Sequence, residues 1–378
     1  MKTYKVGIIG FGMIGKVHAF GYATLPYYSR PMDAKFHISH VATAHAETAE
    51  NARNICGADI ATTDYREITE NPGIDIVHIC SPNEMHFEQL RTAVENGKHI
   101  YCDKPLTVSL EEAEDIRNAI EAAEYVATNQ MTFHLRFFPA IRRAKQLVEQ
   151  GRLGRIYQFR MAYLHSSNAS PLTPMKWKHS ASGGVVRDLG SHLLDLADYL
   201  LGPMVSLLAE TQLAVPMRPL GVGSPEMIEI KVEDAMTILA KTKGGAHGIL
   251  EATKLATGNE DELKLEINGE AGAVRFSLMN PHYLEFFDAA VPDRPFGGES
   301  GWRRISCGAR FEAPDTDFPS PKSTIGWTRA HAACLSNFLH AVVEGRRTEP
   351  DLLQGVKIDR QIDAVFRSAY SRSWIDAK

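Results

Sequence analysis

Residues 5–15 of this 378-residue chain have the sequence KVGIIGFGMIG, and they decide its fold class. Residues 5–10 are mostly apolar and β-branched, which predicts a buried strand. Gly10, Gly12 and Gly15 then have the G-x-G-x-x-G spacing of a turn from a strand into a helix. At such a turn the first glycine permits the bend, the second lets a pyrophosphate approach, and the third lets the helix pack on the strand.

The sequence around this turn supports a phosphate-binding role. The first 130 residues alternate strand-type and helix-type runs, which predicts a parallel, doubly wound sheet. The predicted strands are 5–10, 38–43, 75–80, 98–102 and 125–128, and the predicted helices are 13–25, 46–55, 84–96 and 109–123. A glycine-rich turn without a ligand is the alternative. The position of the motif between a strand and a helix favours the ligand.

After about residue 130 the pattern changes to that of an α+β domain. Successive runs of alternating polar and apolar residues, separated by Gly, Asn and Pro, predict an antiparallel sheet. The predicted strands are 154–165, 205–215, 234–242, 245–257, 261–268, 272–278 and 283–288, and the predicted helices are 138–150, 186–201, 327–344 and 351–374. We therefore expect one domain at 1–130 and another at 131–378. The C-terminal helices are candidates to pack back on the first domain.

Composition and charge exclude several classes of function. The chain has 41 Lys and Arg against 46 Asp and Glu, a net charge of −5. This balance argues against nucleic acid or a membrane surface as the main partner, and no apolar run reaches the ~18 residues of a membrane span. The five cysteines are odd in number and scattered, so a disulfide framework or a metal site is not expected. A reducing cytoplasm fits this cysteine usage.

The residue that usually distinguishes NAD from NADP is missing after the second predicted strand. His45 stands where an Asp or Glu would hold the adenosine ribose, with Ala44 and Ala46 beside it. Without a carboxylate NADP is not repelled, and without an adjacent Arg it is not clamped. The choice between NAD and NADP stays open, and an ordinary surface role for His45 is equally compatible with the sequence.

Four motifs together resemble the glucose–fructose oxidoreductase / inositol dehydrogenase / MocA superfamily. They are GFGMIG at 10–15, SPNEMH at 81–86, DKP at 103–105 and GGVVRDLGSHLLD at 183–195. Their order and spacing match that family over nearly the whole chain. One departure is Asp103, which replaces the usual glutamate and shortens the carboxylate before Lys104.

The resemblance implies a fold and an activity. It implies an N-terminal Rossmann domain that binds NAD or NADP, and a C-terminal domain with a large open sheet. It also implies a homodimer or homotetramer formed through that sheet, and a sugar or polyol such as an inositol, aldose or anhydrosugar as substrate. Two relatives' activities remain as alternatives, namely NAD-assisted glycoside cleavage and sugar or nucleotide sensing without catalysis.

By resemblance, the cofactor would be bound by residues that follow the predicted strands. The resemblance also places Asn83 at the ribose–nicotinamide part of the cofactor. For His86 a packed structural role is equally compatible, and Gln130 follows the last predicted strand of the first domain. The full set is Gly10, Phe11, Gly12, Met13, Ile14, His45, Ser81, Pro82, Asn83, His86, Asp103, Lys104 and Gln130.

Oxidation of a secondary alcohol needs a base for the hydroxyl proton and a group that stabilises the alkoxide. Lys104, at a strand end, is the candidate for alkoxide stabilisation. Asp188 and His192 are four residues apart, so they share one face of a predicted helix. We assign His192 as general acid/base and Asp188 as the residue that orients it, and both are also candidates to contact substrate. A surface Asp–His pair on an amphipathic helix is the alternative.

Further substrate contacts are predicted from residues that suit sugar recognition, in which aromatic rings cover C–H faces and polar groups bind hydroxyls. The candidates are Tyr163, His165, Trp177 and His331. A core or surface role is the alternative for each of them. The long connection at 22–35 is interpreted either as a cover for the active-site mouth or as a plain surface insertion.

Overall fold

A computed structural model describes residues 1–308, 310–320, 322–323 and 326–377. The chain divides into two compact units. The first comprises Met1–Phe137, Phe311–Ser320 and Gly326–Asp359, and the second consists mainly of residues 138–308 and 360–377. Within the described ranges, no helix is long and apolar enough to cross a membrane.

The first unit contains a parallel sheet that, in the described residues, has six strands in the order β3-β2-β1-β4-β5-β6. These strands are β1 (Lys2–Ile9), β2 (Ala34–Ala42), β3 (Ile60–Thr62), β4 (Ile76–Ile79), β5 (His99–Cys102) and β6 (Asn129–Met131). The helices between them are α1 (Met13–Tyr28), α2 (Ala46–Cys56), α3 (Arg66–Thr69), α4 (His86–Glu95) and α5 (Leu110–Ala122). This strand order is that of a dinucleotide-binding Rossmann sheet.

The core of the first unit joins this sheet to a helix from far along the chain. The later helices are α6 (Pro139–Glu149), α7 (Ser191–Leu201), α8 (Trp327–Glu344) and α9 (Leu352–Ser371). Phe338 and Leu339 of α8 are buried in one cluster with Val6, Ile8 and Tyr101. Burial of apolar area against β1 and β5 therefore places α8 in the first unit.

The second unit contains a mixed, mostly antiparallel sheet that, in the described residues, has nine strands. The strands of this unit are β7 (Ile156–Leu164), β8 (Met204–Gln212), β9 (Met217–Pro219), β10 (Met227–Glu229), β11 (Ala235–Thr242), β12 (His247–Thr253), β13 (Glu262–Gly269), β14 (Gly272–Ser277), β15 (Tyr283–Asp288), β16 (Trp302–Ser306) and β17 (Ile375–Asp376). The sheet has the order β16-β15-β14-β13-β7-β12-β11-β8-β17, and β9 pairs with β10 separately. Only the β7–β12 pair among the described pairings of this sheet is parallel. The α/β plus α+β fold class predicted from the sequence is confirmed.

Several element boundaries differ from the sequence prediction. Helix α1 continues through Pro26 to Tyr28, so much of the 22–35 connection is helical rather than an open insertion. The last strand of the first sheet is 129–131, not 125–128, because the Asn129 side chain accepts the N–H of Leu352 and the N–H of Met131 donates to the Pro350 carbonyl. The predicted helix 186–201 begins with a π-helical turn at Val186–Gly190, and α7 follows it.

Candidate active site

The glycine-rich turn after β1 forms a cradle that a side chain would fill. Gly10 has a φ of +87°, and a Cβ there would lie 2.5 Å from the Cys80 carbonyl oxygen. A Cβ on Gly15 would lie 2.2 Å from the Gly10 carbonyl oxygen, whereas one on Gly12 would meet no atom of the described chain within 4 Å. Helix α1 begins after Gly12 without a capping side chain. Its amino end and the open space at Gly12 fit a pyrophosphate.

The second motif holds two strand ends together through His86. This histidine is fully buried at the start of α4. Its Nδ1 lies 3.0 Å from the Pro105 carbonyl oxygen and its Nε2 lies 3.0 Å from the Ser81 carbonyl oxygen. The hydroxyl of Ser81 in turn donates to Gln89, at 2.7 Å. His86 therefore joins the segment after β4 to the segment that carries Lys104, which is a positioning role.

Lys104 follows β5 and is partly buried. The residue before it, Asp103, accepts a hydrogen bond from the Thr132 hydroxyl at 2.5 Å. Asp103 also donates its backbone N–H to the Ile79 carbonyl, and Thr132 donates its own to the Cys102 carbonyl. The shorter carboxylate of Asp103 is thus fixed by the neighbouring strand ends, so the substitution of Asp for Glu leaves a defined position for Lys104.

Neutral imidazoles lie near Lys104 in the first unit. Burial, together with Coulombic interactions with His134, His18 and Lys104, holds the pKa of His331 well below its usual value. The His331 ring stacks on His134, with ring centroids 3.8 Å apart, and packs on Trp327 at 4.1 Å. Burial also lowers the pKa of His18 to about 4, although the charge of Asp103 acts in the opposite direction. His331 and His18 therefore remain uncharged at neutral pH.

In the second unit, Asp188 lies between two lysines. Lys178 Nζ is 3.0 Å from both carboxylate oxygens of Asp188. Lys254 Nζ is 2.8 Å from Oδ2. Asp188 belongs to the π-helical turn, and His192 follows it in α7, where its ring meets the ring of Tyr163 edge-on at 6.0 Å. The sequence predicts Asp188 as the partner of His192, and the structure places two cationic partners, Lys178 and Lys254, on Asp188.

The paired glycines of the fourth motif allow this arrangement. A Cβ on Gly183 would lie 2.1 Å from the Lys178 carbonyl oxygen, and one on Gly184 would lie 2.3 Å from the carboxylate of Glu233. Glu233 Oε1 accepts the backbone N–H of Val186, at 2.9 Å. The glycines therefore let the turn that carries Asp188 pack directly against the Lys178 carbonyl and the Glu233 carboxylate.

Tyr163 and His165 share a carboxylate that the sequence analysis did not single out. The Tyr163 hydroxyl donates to Asp261 Oδ1 at 2.8 Å, and His165 Nε2 lies 2.9 Å from the same oxygen. Burial alone would raise the pKa of Asp261, but hydrogen bonds from His165 and Tyr163 lower it below its usual value. Trp177 is largely exposed, and the Lys178 ammonium lies 5.7 Å above its ring.

Two family models match the chain. The model for the oxidoreductase family with an NAD-binding Rossmann fold matches residues 4–130, and the GFO/IDH/MocA C-terminal domain matches residues 141–275. The chain belongs to the Gfo/Idh/MocA oxidoreductase family. The resemblance inferred from its four motifs is confirmed.

Named relatives in this family match over nearly the whole chain. Levoglucosan dehydrogenase of Pseudarthrobacter phenanthrenivorans is 31% identical over 100% of this chain and 98% of its own length. Inositol 2-dehydrogenase of Rhizobium meliloti is 26% identical over 99% of both chains. A solved levoglucosan dehydrogenase in complex with NADH and levoglucosan has a TM-score of 0.92 at 31% identity and covers 99% of both chains.

Two predicted cofactor residues of this Gfo/Idh/MocA protein, Gln130 and His45, have different surroundings from each other. Gln130 is fully buried, where its Nε2 donates to the Cys334 carbonyl at 2.7 Å and its Oε1 accepts from Asn337 at 2.7 Å. These bonds to α8 use both ends of the amide and favour a structural role. His45 is the exposed residue before α2, as the sequence indicated. Among the described residues, no group of three or more His, Cys, Asp or Glu is arranged to hold a metal ion.

The glycine turn gives a matched pair of variants. We expect Gly15→Ala to lower the thermal midpoint, because its Cβ would collide with the backbone oxygen of Gly10. Gly12→Ala enters open space, so its thermal midpoint should stay close to that of the wild type. Its methyl group should nevertheless weaken NADH binding by about tenfold or more, since it occupies the path of the pyrophosphate.

Thermal unfolding and NADH fluorescence titration measure the two effects separately. Unchanged NADH affinity in Gly12→Ala would show that the cofactor does not approach this turn.

Proposed function

We propose that this Gfo/Idh/MocA oxidoreductase is an NAD-dependent dehydrogenase that oxidises a ring hydroxyl of a pyranose-type sugar, with 1,6-anhydrosugars as preferred substrates. The observation that carries the proposal is the full-length similarity to levoglucosan dehydrogenase, 31% in sequence with a TM-score of 0.92. The inositol 2-dehydrogenase is less similar, at 26% identity. Since the family relatives are dehydrogenases, glycoside cleavage and sensing without catalysis are disfavoured.

NAD is the proposed cofactor. The cradle at Gly10, Gly12 and Gly15 fits the pyrophosphate, and Ser81 and Asn83 follow the next strand of the same sheet edge. No arginine flanks His45 to clamp a 2′-phosphate. When bound, the nicotinamide accepts the hydride from the carbinol carbon.

The residues of the two units have separate roles in this proposal. In the first unit, Lys104 donates a hydrogen bond to the reacting oxygen and stabilises the alkoxide. In the second unit, His192 takes the hydroxyl proton on a ring nitrogen and returns it in the reverse reaction. Asp188, ionised between its lysines, accepts a hydrogen bond from a sugar hydroxyl and orients the substrate.

The remaining site residues would recognise the sugar. Burial and the negative charge of Asp261 raise the pKa of Tyr163 well above its usual value, so its hydroxyl stays protonated. Tyr163 and His165 are held by Asp261 and provide a fixed polar edge. The exposed face of Trp177 suits the C–H face of a pyranose.

The oligomeric state and the location belong to the same proposal. The large sheet of the second unit has a groove of about 540 Å³, lined by Arg160, Ile249, Arg275, Tyr283 and neighbouring residues. Ile249 and Leu239 are exposed on this sheet, which supports pairing of two copies into a homodimer or homotetramer. The five free cysteines support a cytoplasmic location.

A substrate panel tests the proposed function. The purified chain is offered levoglucosan, D-glucose, myo-inositol and scyllo-inositol, each with NAD and with NADP, and reduction is followed by nicotinamide absorbance. We expect the highest kcat/KM with levoglucosan and NAD. A higher value with an inositol would overturn the proposed substrate class, and a preference for NADP would overturn the proposed cofactor.

Substitution tests the assigned catalytic residues. Lys104→Ala and His192→Ala should each lower kcat by about 10²–10⁴-fold, because alkoxide stabilisation or proton transfer is lost. NADH affinity should remain near that of the wild type. Lys231→Ala and His247→Ala are matched controls, since both residues are exposed in the second unit. Near-normal kcat in both site variants would place the chemistry elsewhere.

A further inference from the structure

We propose that Lys254 is a positioning residue for the reaction, and that its buried ammonium keeps the Asp188 carboxylate ionised and fixed in direction. The functional part of this inference rests on the proposed function, in which Asp188 contacts the sugar. The pairing of Lys254 with Asp188 rests on the geometry of the second unit alone.

The two lysines on Asp188 differ in their surroundings. The Lys254 side chain is 5% exposed and its ammonium lies 2.8 Å from Asp188 Oδ2. The Lys178 side chain is 39% exposed and reaches the same carboxylate at 3.0 Å. A buried ammonium is screened less by water than an exposed one, so Lys254 has the stronger effect on Asp188. Lys178 remains accessible to solvent and substrate.

The backbone of Lys254 is fixed by hydrogen bonds to the backbone of Asp234 and of Asn168. The N–H of Lys254 donates to the Asp234 carbonyl, and the N–H of Asn168 donates to the Lys254 carbonyl, each at 2.9 Å. Asp234 is 1% exposed, and its Oδ2 accepts the backbone N–H groups of Ala214 and Val215, each at 3.1 Å. These contacts hold the end of β12 from both sides.

Side chains then connect Asp234 to the loop that precedes Asp188. Asn168 Nδ2 donates to Asp234 Oδ1 at 2.9 Å, and the fully buried Arg218 reaches the same oxygen at 3.5 Å. Arg218 also donates to the backbone carbonyls of Asn168 and Ser170. The guanidinium therefore fixes the loop from 166 to 180, which carries Trp177 and Lys178.

A neutral histidine extends this network to Lys178. Burial, with the positive charges of Arg218 and Lys254, lowers the pKa of His179 to about 4. Its Nδ1 accepts the N–H of Lys176 at 3.0 Å, so its Nε2 carries the proton and donates to Asn168 Oδ1 at 3.2 Å. His179 and Lys178 belong to one short 3₁₀ turn. The Asp234 network thus sets the positions of both lysines on Asp188.

Other charged and titratable groups also face Asp188. Tyr163 of β7 stays protonated beside it, and the charge of Asp188 is one cause of the raised pKa of that phenol. Glu233 packs against the same turn, and burial raises its pKa. Arg187 and His192 lie on the segment of Asp188 itself. The two ammonium groups lie 2.8 and 3.0 Å from the Asp188 carboxylate, whereas protonated Tyr163 carries no charge. The lysines therefore govern the ionisation of Asp188.

The test compares Lys254→Met with Lys254→Arg, using Lys231→Met as a control. Methionine keeps the length of the side chain and removes its charge, whereas arginine keeps the charge. Lys231 is an exposed lysine that pairs with Glu229 at 3.5 Å. We measure kcat/KM across the pH range, together with NADH affinity and the thermal midpoint.

In Lys254→Met the acidic limb of the kcat/KM profile should move upward by about one pH unit or more, because the carboxylate protonates more readily. The value of kcat/KM should fall about tenfold at the acidic end and less at alkaline pH, whereas NADH affinity should not change. Lys254→Arg should restore most of the profile. A purely structural role would lower the thermal midpoint and leave the shape of the profile unchanged, which would overturn the proposal.

Two further measurements keep the inference testable. If Lys254→Met does not fold, the pH profiles of Lys254→Gln and Lys178→Gln, which both remove the charge, are compared, and a larger displacement of the acidic limb in Lys178→Gln would overturn the proposal. If the wild type oxidises no sugar, the proposed function has failed, and a thermal double-mutant cycle with Asp188→Asn decides the pairing. The coupling between Lys254→Met and Asp188→Asn should be present at alkaline pH and should decrease as Asp188 protonates. A coupling energy that does not vary with pH would overturn the inferred pairing of Lys254 with Asp188.

Discussion

Backbone packs directly on backbone where β1 meets α1, and the cofactor-binding unit depends on that contact. The Gly10 carbonyl approaches Gly15 so closely that a Cβ would lie 2.2 Å from its oxygen. The approach lets α1 begin immediately after the strand, so that its amino end points to the edge where β1, β4 and β5 finish. Ser81, Asn83 and Lys104 follow those same strands. One pair of residues without side chains therefore sets the geometry of the whole edge.

In the second unit, the buried charge of Asp234 fixes the geometry of the site. Asp234 is buried and satisfied by Asn168, Arg218 and backbone N–H groups, so its cost of burial is offset by hydrogen bonds. That anion supports the elements from which Lys178 and Lys254 reach Asp188. Both carboxylate oxygens of Asp234 accept hydrogen bonds, and such a network restricts the motion of the segments that it joins, as a residue that orients a sugar hydroxyl requires.

The sequence predicted the features that depend on local pattern. The β–α alternation, the glycine turn and the strand-end motifs each lie within a short stretch, and the structure places them in a six-stranded parallel sheet within the described residues. Strand β6 was misplaced because its position is set by distant contacts. The Asn129 side chain accepts the N–H of Leu352, and Met131 donates to the Pro350 carbonyl. No local pattern contains that information.

The site shows the same division between local and distant information. Lys104, Asp188 and His192 stand in recognisable motifs. Lys254, by contrast, is 66 positions beyond Asp188 and directly follows β12, and Asp261 directly precedes β13. Their roles arise only when β12 and β13 are packed beside the π-helical turn and β7. The resemblance and the strand-end position predict Gln130 as a cofactor contact, whereas its hydrogen bond to Asn337, 207 residues away, lies outside any local pattern.

Isotope transfer reports whether hydride passes from a sugar carbon to nicotinamide. Levoglucosan carrying deuterium at every carbon is incubated with the chain and NAD, and the reduced cofactor is analysed by mass spectrometry. We expect a reduced nicotinamide one mass unit heavier, with the deuterium at C4. Reduced cofactor without deuterium, or conversion of the sugar without reduced cofactor, would contradict it.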